Sequence, residues 1–424
     1  MERYLGAFEH LFWLYNQFYP MDFATVAKLQ GQFSVDQLSM VLRQIQQRHP
    51  LLRVCIATDA IGQPKFVETD DEIPLRLVER TDDQHWQAEL EVELACSLDW
   101  QVAPLLRVVL LQSEAESELM IICHHVIADG LSGVYLMRDI LQRLGGEIFE
   151  RSHLSAALSL ESSLFGITPC PETTPKPTDY IPPLSRRAPP HIHTVVLSPE
   201  LTQQLIQRSR AEHTTVHGAV SAAFLLALTQ QDAKPSDVMQ CLHPVNVRSH
   251  LSLPMPDGVG LYFCLCMTTH SLQPDSAFWD VARSVKSQLS QIDIAQQLVE
   301  EHQLRQRAIA NLTDATTFAE AGGSSQSPCQ LNVTNLGRIN MAQQYGNIWI
   351  EALHAPAVMP SVVGRNVGVA TLGDRLTLTL SSTPLIDVDR VQSERAATAF
   401  LSEGVKRLEL AVVQEATSEA AWRT

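Results

Sequence analysis

Positive charge is scarce in this chain. Thirty-one lysines and arginines stand against 47 aspartates and glutamates, a formal net charge of −16. Binding to nucleic acid needs a basic face to neutralise phosphates, so a general nucleic-acid binder is excluded. A local basic patch for one anionic ligand is not. Long apolar runs are missing too: none approaches the ~18 residues that a spanning helix needs. The N-terminus, MERYLGAFEHLFWLYNQFYP, is aromatic, but it carries Glu2, Arg3, Glu9 and His10 and no small-residue cleavage site. It does not read as a signal peptide and leaves open only a peripheral membrane contact. The eight cysteines (Cys55, Cys96, Cys123, Cys170, Cys241, Cys264, Cys266, Cys329) include no C-x-x-C pair. Cys264 and Cys266 have strand spacing, without a second pair beside them. Reduced thiols in a cytoplasmic protein are the reading. There is no P-loop, no G-x-G-x-x-G, no G-x-S-x-G elbow, and no cysteine next to a clear base. His191 with His193, and His213 with His217, have ligand spacing but no carboxylate or cysteine at a suitable offset, so no metal site is expected.

What is present is a globular composition: nearly half the residues are apolar and fewer than a fifth charged. At 424 residues two domains are expected. Ser34 and Gln37 form a capping box ahead of a helix with Leu38, Val41, Leu42 and Ile45 on one face, ended by Pro50. LLRVCIA and PKFVE flank a turn and read as a hairpin. PLLRVVLLQ and ELMIIC read as a second, and the almost wholly apolar ELMIIC is expected to be a central strand. A helix is expected from Leu131 to about Leu144, stopped by Gly145 and Gly146. The stretch TPCPETTPKPTDYIPPLSRRAPP is too rich in proline for a helix or a central strand. The expected organisation is a first half over 1–170, a proline-rich linker over 171–190 and a second half over 191–424. The second half restarts with HIHTVVL, a helix opened by Ser198 and Pro199, and a helix apolar on nearly all sides, TVHGAVSAAFLLALTQ. Strands follow in VMQCLHPVNVR, VGLYFCLCMTTH, QLNVTNLG, NIWIEALH and RLTLTLSS, with helices around 276–294 and 296–312 and a short one near 388–410. Both halves mix strands and helices around a sheet, an α/β class.

The chemistry concentrates in LMIICHHVIADGLSG, residues 119–133. Two imidazoles at the end of a buried strand need hydrogen-bond partners or a task, because an unpaired buried polar group costs roughly 1–3 kcal/mol. Neighbouring residues of an extended segment face opposite sides. His124 and His125 therefore divide, one toward the interior and one toward a cleft. Histidine titrates near working pH and is the usual general base. Asp129 caps the following helix or bonds an arginine elsewhere. Gly130 suits a bend or the close passage of a ligand.

HHVIADG, residues 124–130, matches the H-H-x-x-x-D-G signature, and the chain resembles the condensation-domain-like acyltransferases. That superfamily spans condensation domains of nonribosomal peptide synthetases, plant BAHD enzymes and polyketide-associated acyltransferases, and is similar in fold to chloramphenicol acetyltransferase. QIQQRHPLLRV, TTVHGAVSAAFLLAL, PVNVR and NVTNLG resemble further family segments, so the likeness runs from about residue 8 to residue 410. The resemblance implies two chloramphenicol acetyltransferase-like halves in a V-shaped pseudo-dimer with a tunnel between them. It implies His125 as catalytic base, His124 as a structural neighbour, Asp129 paired with Arg248 of PVNVR, and Gly130 leaving room for the donor arm. Asn335 of TNLG is a candidate for shaping the oxyanion region with Gly337, or a turn asparagine. The implied donor is a phosphopantetheine-linked acyl thioester on a carrier protein or coenzyme A. The acceptor is a small alcohol or amine, and no bound cofactor is implied.

The D-F-G-W-G of the plant group is absent; VGRNVGVATLGDRL occupies the comparable region. NLG and a free-standing, monomeric chain look most like the polyketide-associated members. The rivals are a stand-alone amide-forming condensation enzyme, a thioester hydrolase using the same base, and a non-catalytic module that binds a carrier protein or acyl ligand. Arg43, Arg48 and Arg53 are expected on the surface, with attraction of an acidic carrier protein or a pantetheine phosphate as the sharper alternative. Asp70, Asp71 and Glu72 read as a solvated loop.

Overall fold

The computed structural model describes residues 2–17, 21–149, 158–166, 189–231, 238–252, 258–310, 329–355, 365–382 and 389–413. The proline-rich segment lies almost wholly outside them. The first stretch folds as β1 (Glu2–Tyr4), α1 (Ala7–Asn16), β2 (Asp22–Gln30), α2 (Val35–Arg48), β3 (Val54–Thr58), β4 (Pro64–Glu68), β5 (Leu75–Glu79), α3 (His85–Ala95), β6 (Leu106–Gln112), β7 (Glu116–His124), α4 (Gly130–Leu144) and α5 (Leu160–Phe165). After the linker come β8 (His191–Val196), α6 (Pro199–Ala211), α7 (Val216–Gln231), β9 (Met239–Asn246), β10 (Phe263–His270), α8 (Phe278–Ser290) and α9 (Ile294–Ala310). The chain ends through β11 (Leu331–Arg338), β12 (Gln344–Tyr345), β13 (Ile348–His354), β14 (Asn366–Leu372), β15 (Arg375–Ser382) and α10 (Arg390–Val413).

Local chemistry explains the elements that matter for the site. Ser34 Oγ accepts from the Gln37 N–H at 3.1 Å while Gln37 Oε1 accepts from the Ser34 N–H at 2.8 Å, the reciprocal cap that starts α2. Its Leu38, Val41, Leu42 and Ile45 are buried, as their spacing required. β7 pairs antiparallel with β2 on one side and β6 on the other, and Leu119 to Cys123 are all buried. This is the central strand that a continuous apolar run specifies.

Two six-stranded mixed sheets form two lobes. The first has the order β12-β13-β2-β7-β6-β5 and the second β10-β9-β11-β14-β15-β8, with a small β1-β4-β3 sheet beside the first. In the second, β11 runs parallel to both β9 and β14. The lobes do not follow the halves of the chain. β12 and β13 lie beyond residue 340 yet complete the first sheet, β13 pairing with β2. One apolar core also crosses between lobes: Phe8, Phe12, Phe23 and Val126 share a cluster with Val259, Leu261, Tyr262 and Phe263. α7, apolar all round, is buried in a second core with α8 and α10 residues.

Some expectations need correction. The last helix is 24 residues, not short, and β2 and β14 are strands the sequence pattern did not announce. Phe8, Phe12 and Trp13 of the aromatic N-terminus are buried in the core, while Phe18 and Tyr19 of the same stretch lie outside the described residues. No described helix is long and apolar enough to cross a membrane.

Candidate active site

β7 carries the paired histidines to its end, and the next residues are pinned by the backbone. The His124 N–H donates to Leu105 O at 3.0 Å and the His125 N–H to Met21 O at 2.8 Å. The Asp129 N–H reaches across to Gly260 O at 3.0 Å. The two rings part as alternation requires. His124 is fully buried, and its Nδ1 accepts from the Val126 N–H at 3.1 Å. Burial, helped by the neighbouring His125, pushes its pKa down to about 3, so it is a neutral structural ring.

His125 faces the other way, into a cavity of about 260 Å³ between the lobes. Phe12, Phe23 and Phe263 surround its ring, with centroids 5.0, 4.8 and 5.7 Å away. Nδ1 is closed off from solvent, which leaves Nε2 as the nitrogen available to the cavity. Burial lowers the His125 pKa. Asp129 and the backbone carbonyls of His125 and Ala128 oppose that shift without cancelling it. At neutral pH the ring is an unprotonated base.

Asp129 performs both tasks that its position allows. It is the N-cap of α4: Oδ1 accepts from the Ser132 N–H at 2.9 Å and from the Ser132 hydroxyl at 2.8 Å. It is also held bidentately by Arg248, whose Nη1 and Nη2 donate to Oδ2 and Oδ1 at 2.8 and 2.9 Å. The Tyr262 N–H adds a bond to Oδ2 at 3.0 Å. Burial would raise this carboxyl, but Arg248 and the N–H donors hold it below the usual carboxylate range. Arg248 lies over the rings of Tyr135 and Tyr262 and also donates to Gly258 O. The pair therefore ties the first lobe to the second directly behind His125.

Gly130, Asn335 and Gly337 line the same cavity, so every residue expected at the site except His124 faces it. Asn335 Oδ1 is committed to the Gly337 N–H at 2.7 Å, a turn role that leaves its amide N–H groups uncommitted. Residues the sequence did not single out are the three phenylalanines, Ser132, Tyr262 and Leu336. Ser132 lies within the quoted motif stretch and Leu336 within NVTNLG, but their contacts show only in the fold. Phe12, Phe23 and Phe263 meet at His125 only through the tertiary fold.

The other clusters carry structural work. Arg48 is buried, bonding Asp139 at 2.9 Å, with His49 on the same carboxylate at 3.0 Å; the expectation of a surface residue is corrected. Arg53 bonds Glu68 and the carbonyls of Gln46 and Gln47, and Arg43 bonds Glu72. Glu72 thus joins an ion pair rather than standing free. His217 Nε2 meets His243 Nδ1 at 2.9 Å rather than His213. Among the described residues no group of three or more His, Cys, Asp or Glu is arranged to hold a metal ion, and the seven cysteines there are free thiols.

Two family models match, covering the two halves separately. The condensation-domain model matches residues 15–144. The model for the C-terminus of phthiocerol/phthiodiolone dimycocerosyl transferase matches residues 186–381. Among curated proteins, tyrocidine synthase 3 of Brevibacillus parabrevis is 33% identical over 125 residues, 29% of this chain and 2% of that protein. Gramicidin S synthase 2 of Brevibacillus brevis is 25% identical over 276 residues, 61% of this chain and 6% of that one. The chain thus spans a few per cent of the length of the curated relatives it matches. Among solved structures, polyketide synthase associated protein 5 from Mycobacterium tuberculosis superposes with a TM-score of 0.71 at 19% identity, covering 98% of both chains. A trichothecene 15-O-acetyltransferase from Fusarium sporotrichioides superposes with a TM-score of 0.68 at 12% identity, covering 97% of this chain and 95% of that one.

Proposed function

The chain belongs to the superfamily of condensation domains and polyketide-associated acyltransferases, and from that premise we propose that it moves an acyl group from a carrier-protein or coenzyme A thioester to a small hydroxyl acceptor. One observation carries the reading: a neutral imidazole, His125, open through Nε2 to an apolar cavity between two lobes. His125 takes the proton of the acceptor hydroxyl as the oxygen attacks the thioester carbonyl. The new C–O bond forms, the C–S bond breaks, and the leaving thiolate takes the proton back from the imidazolium. The uncommitted amide N–H of Asn335 is the donor suited to the oxyanion. General-base action supplies about 10²–10⁴-fold, and orientation of the two substrates supplies the rest. Asp129 and Arg248 hold the loop that follows His125 in place. The pantetheine-linked donor is a substrate, and the mechanism calls on no bound cofactor.

An amine acceptor is the second reading, favoured by the sequence match to tyrocidine synthase 3 and by the condensation-domain model that matches residues 15–144. Incubating the protein with acyl thioesters, with and without alcohols and amines, separates the outcomes. Ester formation supports the proposal and amide formation the second reading. Free acid alone indicates a hydrolase, and binding without turnover a non-catalytic module.

A further inference from the structure

The face of the second sheet that looks toward the first lobe carries a buried polar row. Leu331 and Val333 of β11 belong to the core under the helices. By strand alternation Asn332 and Thr334 face the other way, and both line the His125 cavity. Asn332 on β11, Asn366 on β14 and Ser381 on β15 stand opposite one another across the three strands. The two asparagines are each only 1% exposed. Asn366 Nδ2 donates to Ser381 Oγ at 3.2 Å, and Asn366 Oδ1 accepts from Asn332 Nδ2 at 2.7 Å. The second hydrogen of the Asn332 amide goes to Thr334 Oγ1 at 3.2 Å. Burying amides in place of apolar side chains costs free energy, so the row needs a task.

Its effect is to orient the Thr334 hydroxyl. With the Asn332 amide on its oxygen, the Thr334 O–H has to point away from that amide, and among the described residues no protein acceptor meets it. Thr334 is half-buried. Its partner on β14 is Gly368, which has no side chain to cover it, and the β-bulge of β11 begins only past Asn335, between Asn335 and Arg338. The wall beside it is apolar, with Leu242 and Pro244 of β9 and Leu265 of β10. A hydroxyl with a free hydrogen is thus held in an apolar stretch of the cavity.

We propose that Thr334 is a specificity residue that donates to a substrate oxygen, a ketone, hydroxyl or ether a few bonds from the reacting carbonyl. The proposal rests on the acyl-transfer reading. The Cα atoms of Thr334 and Asn335 are ~3.8 Å apart. With the Asn335 amide on the oxyanion, Thr334 reaches a second oxygen, on the acyl chain or on the attacking alcohol. A plain hydrocarbon in that place leaves the hydroxyl unpaired, and sites built around a hydrogen bond reject analogues that lack the partner.

The full chain is assayed in two arms. The first compares 3-hydroxyacyl-pantetheine with unsubstituted acyl-pantetheine of equal length, with one alkanol as acceptor. The second compares an ether alcohol with the matching alkanol, with one unsubstituted donor. The readout is the ratio of kcat/KM within each pair, which does not depend on how much of a variant folds. Wild type is expected to favour the oxygenated member by about three- to tenfold in one arm, and that arm names the source of the oxygen. Thr334→Val should bring the ratio close to one, and Thr334→Ser should keep it. Calorimetry with S-(3-hydroxyalkyl)- and S-alkyl-pantetheine, thioethers that cannot react, and with the two alcohols repeats the comparison without chemistry. Discriminating binding without any acyl product sustains the assignment of Thr334 and removes the acyl-transfer reading. Transfer without discrimination, or a preference that survives in Thr334→Val, overturns the assignment and leaves that reading standing. Neither transfer nor discriminating binding removes both.

Discussion

Replacing Asp129 with alanine strips a buried anion from the junction between the lobes. The Asp129 and Arg248 side chains are 5% and 8% exposed, so the guanidinium is left with almost no water to replace its partner. Breaking a buried ion pair from one side costs about 3–5 kcal/mol, and losing the helix cap about 1 more. Arg248 keeps its contacts with Tyr135, Tyr262 and Gly258 O, which offsets part of this. A loss of roughly 4 kcal/mol is expected. Asp129→Asn keeps a cap acceptor and one bond to Arg248, so it should lose about half as much. Adding Arg248→Met to Asp129→Ala removes the stranded charge and should recover part of the loss. Chemical denaturation measures the totals, and amide exchange in β7 and α4 locates them. Asp129 has a lowered folded pKa, so its contribution is present above the ordinary carboxylate range and is lost as pH falls through the folded value. Denaturation midpoints within ~0.5 kcal/mol of wild type for Asp129→Ala, or a combined variant no better than that single one, refute the buried-pair argument.

Two pH predictions complete the set. Transfer should be level around and above neutrality and fall in acid with an apparent pKa below the ordinary histidine value, because burial depresses His125; a limb midpoint above 7 in the pH–rate profile contradicts this. Fold stability should also fall in acid. His124, His243 and His354 are buried, with pKa values pushed down to about 3, 2 and 4, so between pH 7 and 5 each should cost about 2 kcal/mol as only the unfolded chain takes up protons. Asp22, buried and raised to about 7, opposes this by about 2 kcal/mol, since there the folded state binds the proton. A loss of roughly 4 kcal/mol at pH 5 from these four groups together should appear in melting curves, and unchanged melting counts against neutral burial of these rings.

What was legible in the sequence was whatever local pattern determines. The Ser34 cap, the Ser198-Pro199 start of α6 and the apolar β7 each carry their cause within a few residues. The division of labour between His124 and His125 follows from strand alternation alone. β2 was not legible, because Asp22, Thr25 and Lys28 break its apolar run and only its place between β13 and β7 buries it. The crossing of β12 and β13 into the first sheet is a pairing of distant segments with no local signature. Arg48 looked like a surface arginine because its partner, Asp139, lies ninety-one residues away. The aromatic wall around His125 is drawn from positions 12, 23 and 263, which no window joins. Leu336 reads as an ordinary strand residue until the bulge turns it toward Gly130.

The most direct measurement is acyl transfer by His125→Ala, with its fold checked by circular dichroism and melting. Ester formation from an acyl thioester should drop by about 10²–10⁴-fold while the protein stays folded and still binds the donor. Transfer at the wild-type rate would mean that this imidazole is not the base.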